Sequence, residues 1–97
     1  MYSIQVKPIA IQMAKDAYGW YEEQKVGLGD IFLAELSRCY TKLEKNPLFY
    51  QKIKNNYRHL VLNKFPYVVI FEIMEDEIII FAVFHTARNP KQKFKRK

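Results

Sequence analysis

Two apolar segments near the C-terminal end constrain the fold more than any other feature of the sequence. Residues 67–74 and 77–85 are rich in β-branched and aromatic side chains, and only Glu75 and Asp76 separate them. This pattern predicts a β-hairpin. Because both segments are apolar at nearly every position, we expect central strands that are covered on both faces. A sheet must therefore form part of the core, and other elements must pack against it.

The first half of the chain predicts two amphipathic helices. Apolar residues recur at helical spacing from Pro8 to Lys25 and again from residue 28 to 43. Gly27 and Gly29 separate the two helices. The second helix is expected to end at Asn46, since a residue before proline avoids the helical conformation. The two apolar stripes are Ile9, Met13, Ala17, Trp20 and Tyr21, and then Leu28, Phe32, Leu36, Cys39 and Leu43.

These elements predict an α+β domain of order β-α-α-β-β-β. Residues 2–6 and 57–62 supply an N-terminal strand and the first strand of a three-stranded antiparallel meander. The helical hairpin is expected to pack on one sheet face, which leaves the other as an apolar surface for a partner. The 97 residues fit a single domain over residues 1–97, with 91–97 as a basic, flexible tail.

The positive charge is concentrated in the second half. The net charge is +6, and residues 45–71 and 78–97 contain basic side chains but no acid. Such a field attracts nucleic acid or an acidic protein segment, although a merely solvated surface is the alternative. Cys39 is the only cysteine, and the longest apolar run, Ile78 to Phe84, is too short to span a membrane. We therefore expect a cytoplasmic protein without membrane association.

Recognisable catalytic motifs are missing from the sequence. There is no phosphate-binding glycine loop, and His59 and His85 lack metal-ligand spacing, so no metal or cofactor is expected. A cationic set remains near strand ends, and it can bind phosphates or pair with a partner's carboxylates. In a ribonuclease, His85 could transfer a proton, but a hydrogen-bonded structural histidine is the commoner finding. The set comprises Arg58, Lys64, His85, Arg88 and the Lys-rich tail.

An ordered series of short motifs resembles the RelE/ParE family of toxins over about residues 8–94. The series begins in the predicted helical hairpin, continues through the strands and ends on a His-x-x-Arg-x-Pro pattern. Its members are Trp20-Tyr21-Glu22-Glu23-Gln24, Gly27-Leu28-Gly29, Phe32, Leu36, Asn46-Pro47, Tyr57-Arg58, Phe65-Pro66-Tyr67 and His85-Thr86-Ala87-Arg88-Asn89-Pro90.

The resemblance implies a toxin of a type II toxin–antitoxin system, related to plasmid stabilisation proteins. Its fold would be four antiparallel strands with a helical hairpin on one face. A cognate antitoxin would neutralise it, in a toxin–antitoxin hetero-oligomer. RelE-like members cut messenger RNA on the ribosome, whereas ParE-like members inhibit DNA gyrase. The His-x-x-Arg ending, carried by His85 and Arg88, is closer to the ParE-like branch.

The ribonuclease set of the RelE-like branch is incomplete in this sequence. Arg58 and Arg88 match it, whereas Leu60 and Val68 stand where that branch has basic residues. Phe94 stands at the terminal tyrosine position and has no hydroxyl. Each lost donor to the developing charge can cost roughly 3 kcal/mol in transition-state stabilisation. The sequence therefore favours a toxin that is not an enzyme, while other ribonuclease branches use different residues.

The residues of the cationic set and the family resemblance are compatible with three functions. The favoured one is a toxin that binds a bacterial protein, with DNA gyrase as the first candidate. The alternative is a ribosome-dependent mRNA endonuclease with Arg58, Arg88 and His85 as catalytic residues. The third is a decayed toxin that still binds its antitoxin. For contacts with target or antitoxin, the candidates are Arg58, Lys64, His85, Arg88, Lys91, Lys93 and Phe94.

Overall fold

The computed structural model describes residues 2–87 of the chain. Its helices and strands agree with the sequence-based bounds to within one residue, and two short elements are added between the second helix and the meander. In chain order the elements are β1 (Ser3–Val6), α1 (Pro8–Gln24), α2 (Leu28–Lys45), a 3-10 turn (Pro47–Phe49), β2 (Lys52–Lys54), β3 (Tyr57–Val61), β4 (Tyr67–Met74) and β5 (Glu77–His85).

The described strands form one sheet in the order β1-β5-β4-β3-β2. The predicted meander is confirmed, since β3, β4 and β5 pair antiparallel in sequence. Two features differ from the expected four antiparallel strands. The three-residue β2 adds a strand beyond β3, and β1 pairs parallel to β5. β2 escaped prediction because a Lys-Ile-Lys segment is too short and too charged to show a strand pattern.

The helical hairpin packs on one face of the sheet, as predicted. Phe32, Leu36, Cys39 and Leu43 of α2 are buried, which confirms most of the second stripe. The aromatic centre of this core is tight: the ring centroid of Phe32 lies 5.0 Å from that of Tyr67 and 5.3 Å from that of Phe65. Core packing of this kind stabilises both helices, since most of the stability of helices in proteins comes from tertiary packing of their apolar face.

The stripe predicted for α1 is partly wrong. Ala17 and Tyr21 are buried, but Ile9 and Trp20 are exposed, and the unpredicted Ala10 is fully buried. The reason is the small size of alanine, which allows the helix to approach its neighbours closely on the Ala10–Ala17 side. Large apolar side chains on the other sides of α1 remain at the surface.

A carboxylate clamp closes the connection between α1 and α2. The side chain of Glu22 accepts hydrogen bonds from the backbone N–H groups of Gly27 (2.9 Å) and Gly29 (2.8 Å). These amides belong to the N-terminal end of α2, where a negative charge also complements the helix dipole. Gly27 has a φ of 91°, a left-handed conformation that favours glycine.

The second sheet face differs from the expectation of an open apolar surface. Val68, Ile70 and Phe84 are buried and form a separate cluster on this face. Partly buried side chains pack against this cluster, including Ile53 of the added strand β2 and Tyr57 of β3. The apolar pattern of β4 on both faces is therefore satisfied to a large extent within the chain itself.

Candidate functional site

The predicted site residues lie in two separate regions of the described structure. One region surrounds the end of β5, at His85, and the other surrounds the start of β3, at Arg58. Arg58 pairs with Phe71 of β4, whereas His85 pairs with Tyr67 at the beginning of the same strand. From strand geometry, the Cα atoms of Arg58 and His85 are on the order of 15 Å apart.

The His85 region is built at the junction of α1 with β4 and β5. The imidazole packs edge-on against the ring of Tyr67, with centroids 5.3 Å apart. Its Nδ1 accepts a hydrogen bond from the N–H of Ala87 at 3.1 Å, which is consistent with a structural role. A cavity of about 410 Å³ adjoins the ring, and its lining comprises Met13, Asp16, Ala17, Trp20, Tyr67, Val83, Phe84 and His85.

Trp20 lies at the surface beside this cavity, and the core position predicted for it is wrong. It was expected in the core, but 43% of its surface is exposed, and it lines this cavity together with Asp16 on the preceding turn of the same helix. Its ring stands edge-on to that of the buried Tyr21, 5.1 Å away. Helical periodicity alone could not distinguish the two rings, because they are adjacent in sequence and only one faces the sheet.

Lys64 lies at the same end of the sheet as His85. Its side chain is exposed on the connection between β3 and β4. The backbone N–H of Thr86, just after β5, donates a hydrogen bond to the carbonyl of Pro66 in this connection at 2.8 Å. The buried carboxylate of Glu35 accepts a hydrogen bond from Arg38 at 2.8 Å. That bond, with further contributions from Asn63 and Lys64, lowers the pKa of Glu35. The Glu35 carboxylate of α2 therefore lies near this connection.

Arg58 occupies the other region, on β3 next to the edge strand β2. Its guanidinium donates a hydrogen bond to the carbonyl oxygen of Tyr50 at 2.6 Å, which fixes the chain that leads from the 3-10 turn to β2. Lys52 of β2 lies directly opposite Arg58 in the strand pairing. Burial raises the pKa of the Tyr50 phenol, whose ring packs 6.3 Å from that of the buried Phe71.

The remaining predicted site residues, Arg88, Lys91, Lys93 and Phe94, lie outside the described residues, as does the tail at 91–97. Within residues 2–87, no group of His, Cys, Asp and Glu side chains is placed to hold a metal ion. No helix among the described residues is long and apolar enough to cross a membrane.

Comparison with known proteins identifies the family to which the chain belongs. The sequence matches a family described as "ParE toxin of type II toxin-antitoxin system, parDE" over residues 4–90. The chain belongs to the ParE toxin family. The resemblance to RelE/ParE toxins, and its ParE-like branch in particular, is thereby confirmed. Among curated proteins, none matches the sequence.

A solved structure supports the same fold for this ParE-family toxin. A chain described as "Chromosomal ParDE TA system from P. aeruginosa" superposes with a TM-score of 0.74 at 16% identity. The match covers 88% of this chain and 96% of that chain. At this identity the likeness shows the fold, which confirms the predicted α+β arrangement.

The geometry of this ParE-family toxin disfavours one shared catalytic centre for Arg58 and His85. Proton transfer requires the acid or base within about 3 Å of the reacting proton, or one water away. Arg58 lies opposite Phe71 in the middle of β4, whereas His85 lies opposite Tyr67 at its first residue, so the described structure does not bring the two side chains together.

Proposed function

We propose that this ParE-family toxin inhibits DNA gyrase by direct protein binding and is neutralised by a cognate antitoxin. The observation that carries the proposal is the family match over residues 4–90. The separation of Arg58 from His85 supports binding over RNA cleavage. A gyrase inhibitor works where the chromosome is, so we also propose a cytoplasmic location.

The candidate binding residues take part in two contact regions under this proposal. Arg58 serves one region, and His85 with the nearby Lys64 serves the other. Exposed charges at the rim of an interface mainly affect the association rate and specificity. Lys64→Ala, at an exposed position, is therefore expected to weaken binding to gyrase or to the antitoxin without abolishing the fold. Arg58→Ala is expected to weaken binding as well, and it also removes the hydrogen bond to the Tyr50 carbonyl.

Pulse-labelling after induction without the antitoxin tests the proposed activity in cells. DNA and protein synthesis are followed in parallel over the first minutes. We expect DNA synthesis to fall first, together with a DNA-damage response. A first fall in protein synthesis would indicate the endonuclease alternative instead. Normal growth, with neither process affected, would contradict a toxic activity and favour the decayed-toxin hypothesis.

A further inference from the structure

Two exposed apolar side chains, Leu48 and Phe49, lie next to the Arg58 region and do not belong to the core. Leu48 and Phe49, in the 3-10 turn between α2 and β2, are 60% and 73% exposed. Two adjacent large apolar side chains at such exposure lose hydrophobic stabilisation that a partner's surface would restore. We call Leu48 and Phe49, together with Lys52 and Arg58, the basic–apolar knob.

The backbone of this turn is held firmly on the side that faces the protein. Pro47 is fully buried, and the N–H groups of Phe49 and Tyr50 donate to the carbonyls of Asn46 and Pro47, each at 3.3 Å. The hydrogen bond from Arg58 to the Tyr50 carbonyl fixes the chain just after the turn. A surface ordered before binding costs less conformational entropy when a partner docks.

Charge defines the kind of partner that fits. Lys52 and Arg58 lie opposite each other on neighbouring strands, an arrangement that is unfavourable for two like charges. Among the described residues neither one forms an ion pair with a carboxylate. The surrounding sequence, residues 45–71, contains no acidic side chain at all. The repulsion is relieved when a partner supplies carboxylates or phosphates.

The apolar half of the knob favours a protein over a nucleic acid. Single-stranded nucleic acid gains affinity when its bases stack on aromatic rings, so Phe49 alone would suit either partner. Leu48 has no planar face for a base, and the ring of Phe49 already contacts Tyr50 edge-on at 5.1 Å. A leucine beside a phenylalanine instead matches an apolar cleft on a protein, filled by a few anchoring side chains.

We propose that the basic–apolar knob is the surface by which this toxin engages its protein target, inserting Leu48 and Phe49 into an apolar cleft rimmed by acidic side chains. This inference rests on the proposed function, with gyrase as the target. It assigns Leu48, Phe49 and Lys52 to target binding. The antitoxin, in this view, acts mainly through other parts of the toxin.

The test compares surface variants in a supercoiling assay with purified gyrase. Leu48→Ser combined with Phe49→Ser is expected to raise the inhibitory concentration at least roughly tenfold, as loss of anchoring side chains does. Lys52→Glu is expected to raise it about fivefold and to flatten its dependence on salt. Matched controls are Val26→Ser, at an 88% exposed apolar site, and Lys25→Glu, both in the connection between the helices. The controls are expected to inhibit like the unmodified toxin.

Two companion measurements separate the possible outcomes. Thermal unfolding and antitoxin affinity are measured for every variant, and both are expected to stay unchanged. Loss of antitoxin affinity with retained gyrase inhibition would overturn the proposal, because the knob would then serve the antitoxin. Equal gyrase inhibition by all variants would also overturn the proposal. So would the finding that the toxin binds a single-stranded oligonucleotide and loses this binding when Leu48 and Phe49 are both replaced by serine. Failure of the unmodified toxin to inhibit gyrase would refute the proposed function itself.

Discussion

The Glu22 clamp offers a sharp test of how the helical hairpin is held. Its carboxylate accepts two backbone hydrogen bonds, at 2.9 Å and 2.8 Å, from the amides of Gly27 and Gly29. A hydrogen bond to a charged group contributes about 1.5–3 kcal/mol when it is well shielded. Glu22 is only half-buried, so solvent reduces this contribution. We therefore expect Glu22→Ala to lower the free energy of unfolding by about 2–3 kcal/mol.

Urea unfolding followed by circular dichroism measures this loss. For a domain of this size the denaturant slope is about 1 kcal/mol per M, so the midpoint should fall by roughly 2 M. Glu22→Gln keeps one accepting oxygen and should lose about 1 kcal/mol. The control is Glu23→Ala, an exposed neighbour on the same helix, which should change stability by less than about 0.5 kcal/mol. If Glu22→Ala were as stable as Glu23→Ala, the clamp would have no energetic role.

Three further predictions follow from the same structure. Gly29→Ala should lower the free energy of unfolding by about 1–3 kcal/mol in the same urea assay, because the alanine Cβ would lie 2.7 Å from both the Glu22 carboxylate and the Tyr18 backbone carbonyl. A urea midpoint equal to that of the unmodified protein would contradict this close approach. Burial raises the pKa of the Cys39 thiol to about 11, so a thiol reagent at pH 8 should react with it only after unfolding. Rapid reaction in the native state would contradict this, because it would show that the reagent reaches the Cys39 face of α2. The hydrogen bond from Arg38 is the main cause of the lowered pKa of Glu35, so this carboxylate stabilises the folded protein above the ordinary carboxyl pKa of about 4.3, and the stabilisation is lost on acidification below that pH. The difference in unfolding free energy between the unmodified protein and Glu35→Gln should therefore shrink below pH 4. A difference that does not change with pH would refute this role of Glu35.

Much of the fold was predictable because its elements carry long, regular patterns. The strands at 67–74 and 77–85 and the helix at 28–45 are marked by continuous apolar runs or by helical spacing over several turns. β2 was not predictable, since three residues with two lysines carry no periodic signal. The α1 stripe was partly wrong because hydrophobicity gives weight to Ile9 and Trp20, whereas close packing selects Ala10.

The candidate site was less accessible to sequence reasoning than the fold. Arg58 and His85 were grouped in one cationic set because both were expected near strand ends, but the strand register places them in separate regions, with Arg58 opposite the middle of β4 and His85 opposite its first residue. Leu48 and Phe49 gave no signal, because an apolar pair after a proline reads equally well as core or surface. Only the three-dimensional arrangement shows that Pro47 is buried while these two side chains point outward.

The central claim is tested most directly by supercoiling of relaxed DNA with purified gyrase and purified toxin. We expect supercoiling to fall with increasing toxin and to recover when the cognate antitoxin is added. The same toxin, added to a translating extract, should leave the transcripts intact. Full supercoiling at every toxin concentration, together with cut transcripts in the extract, would contradict the account and establish RNA cleavage as the activity.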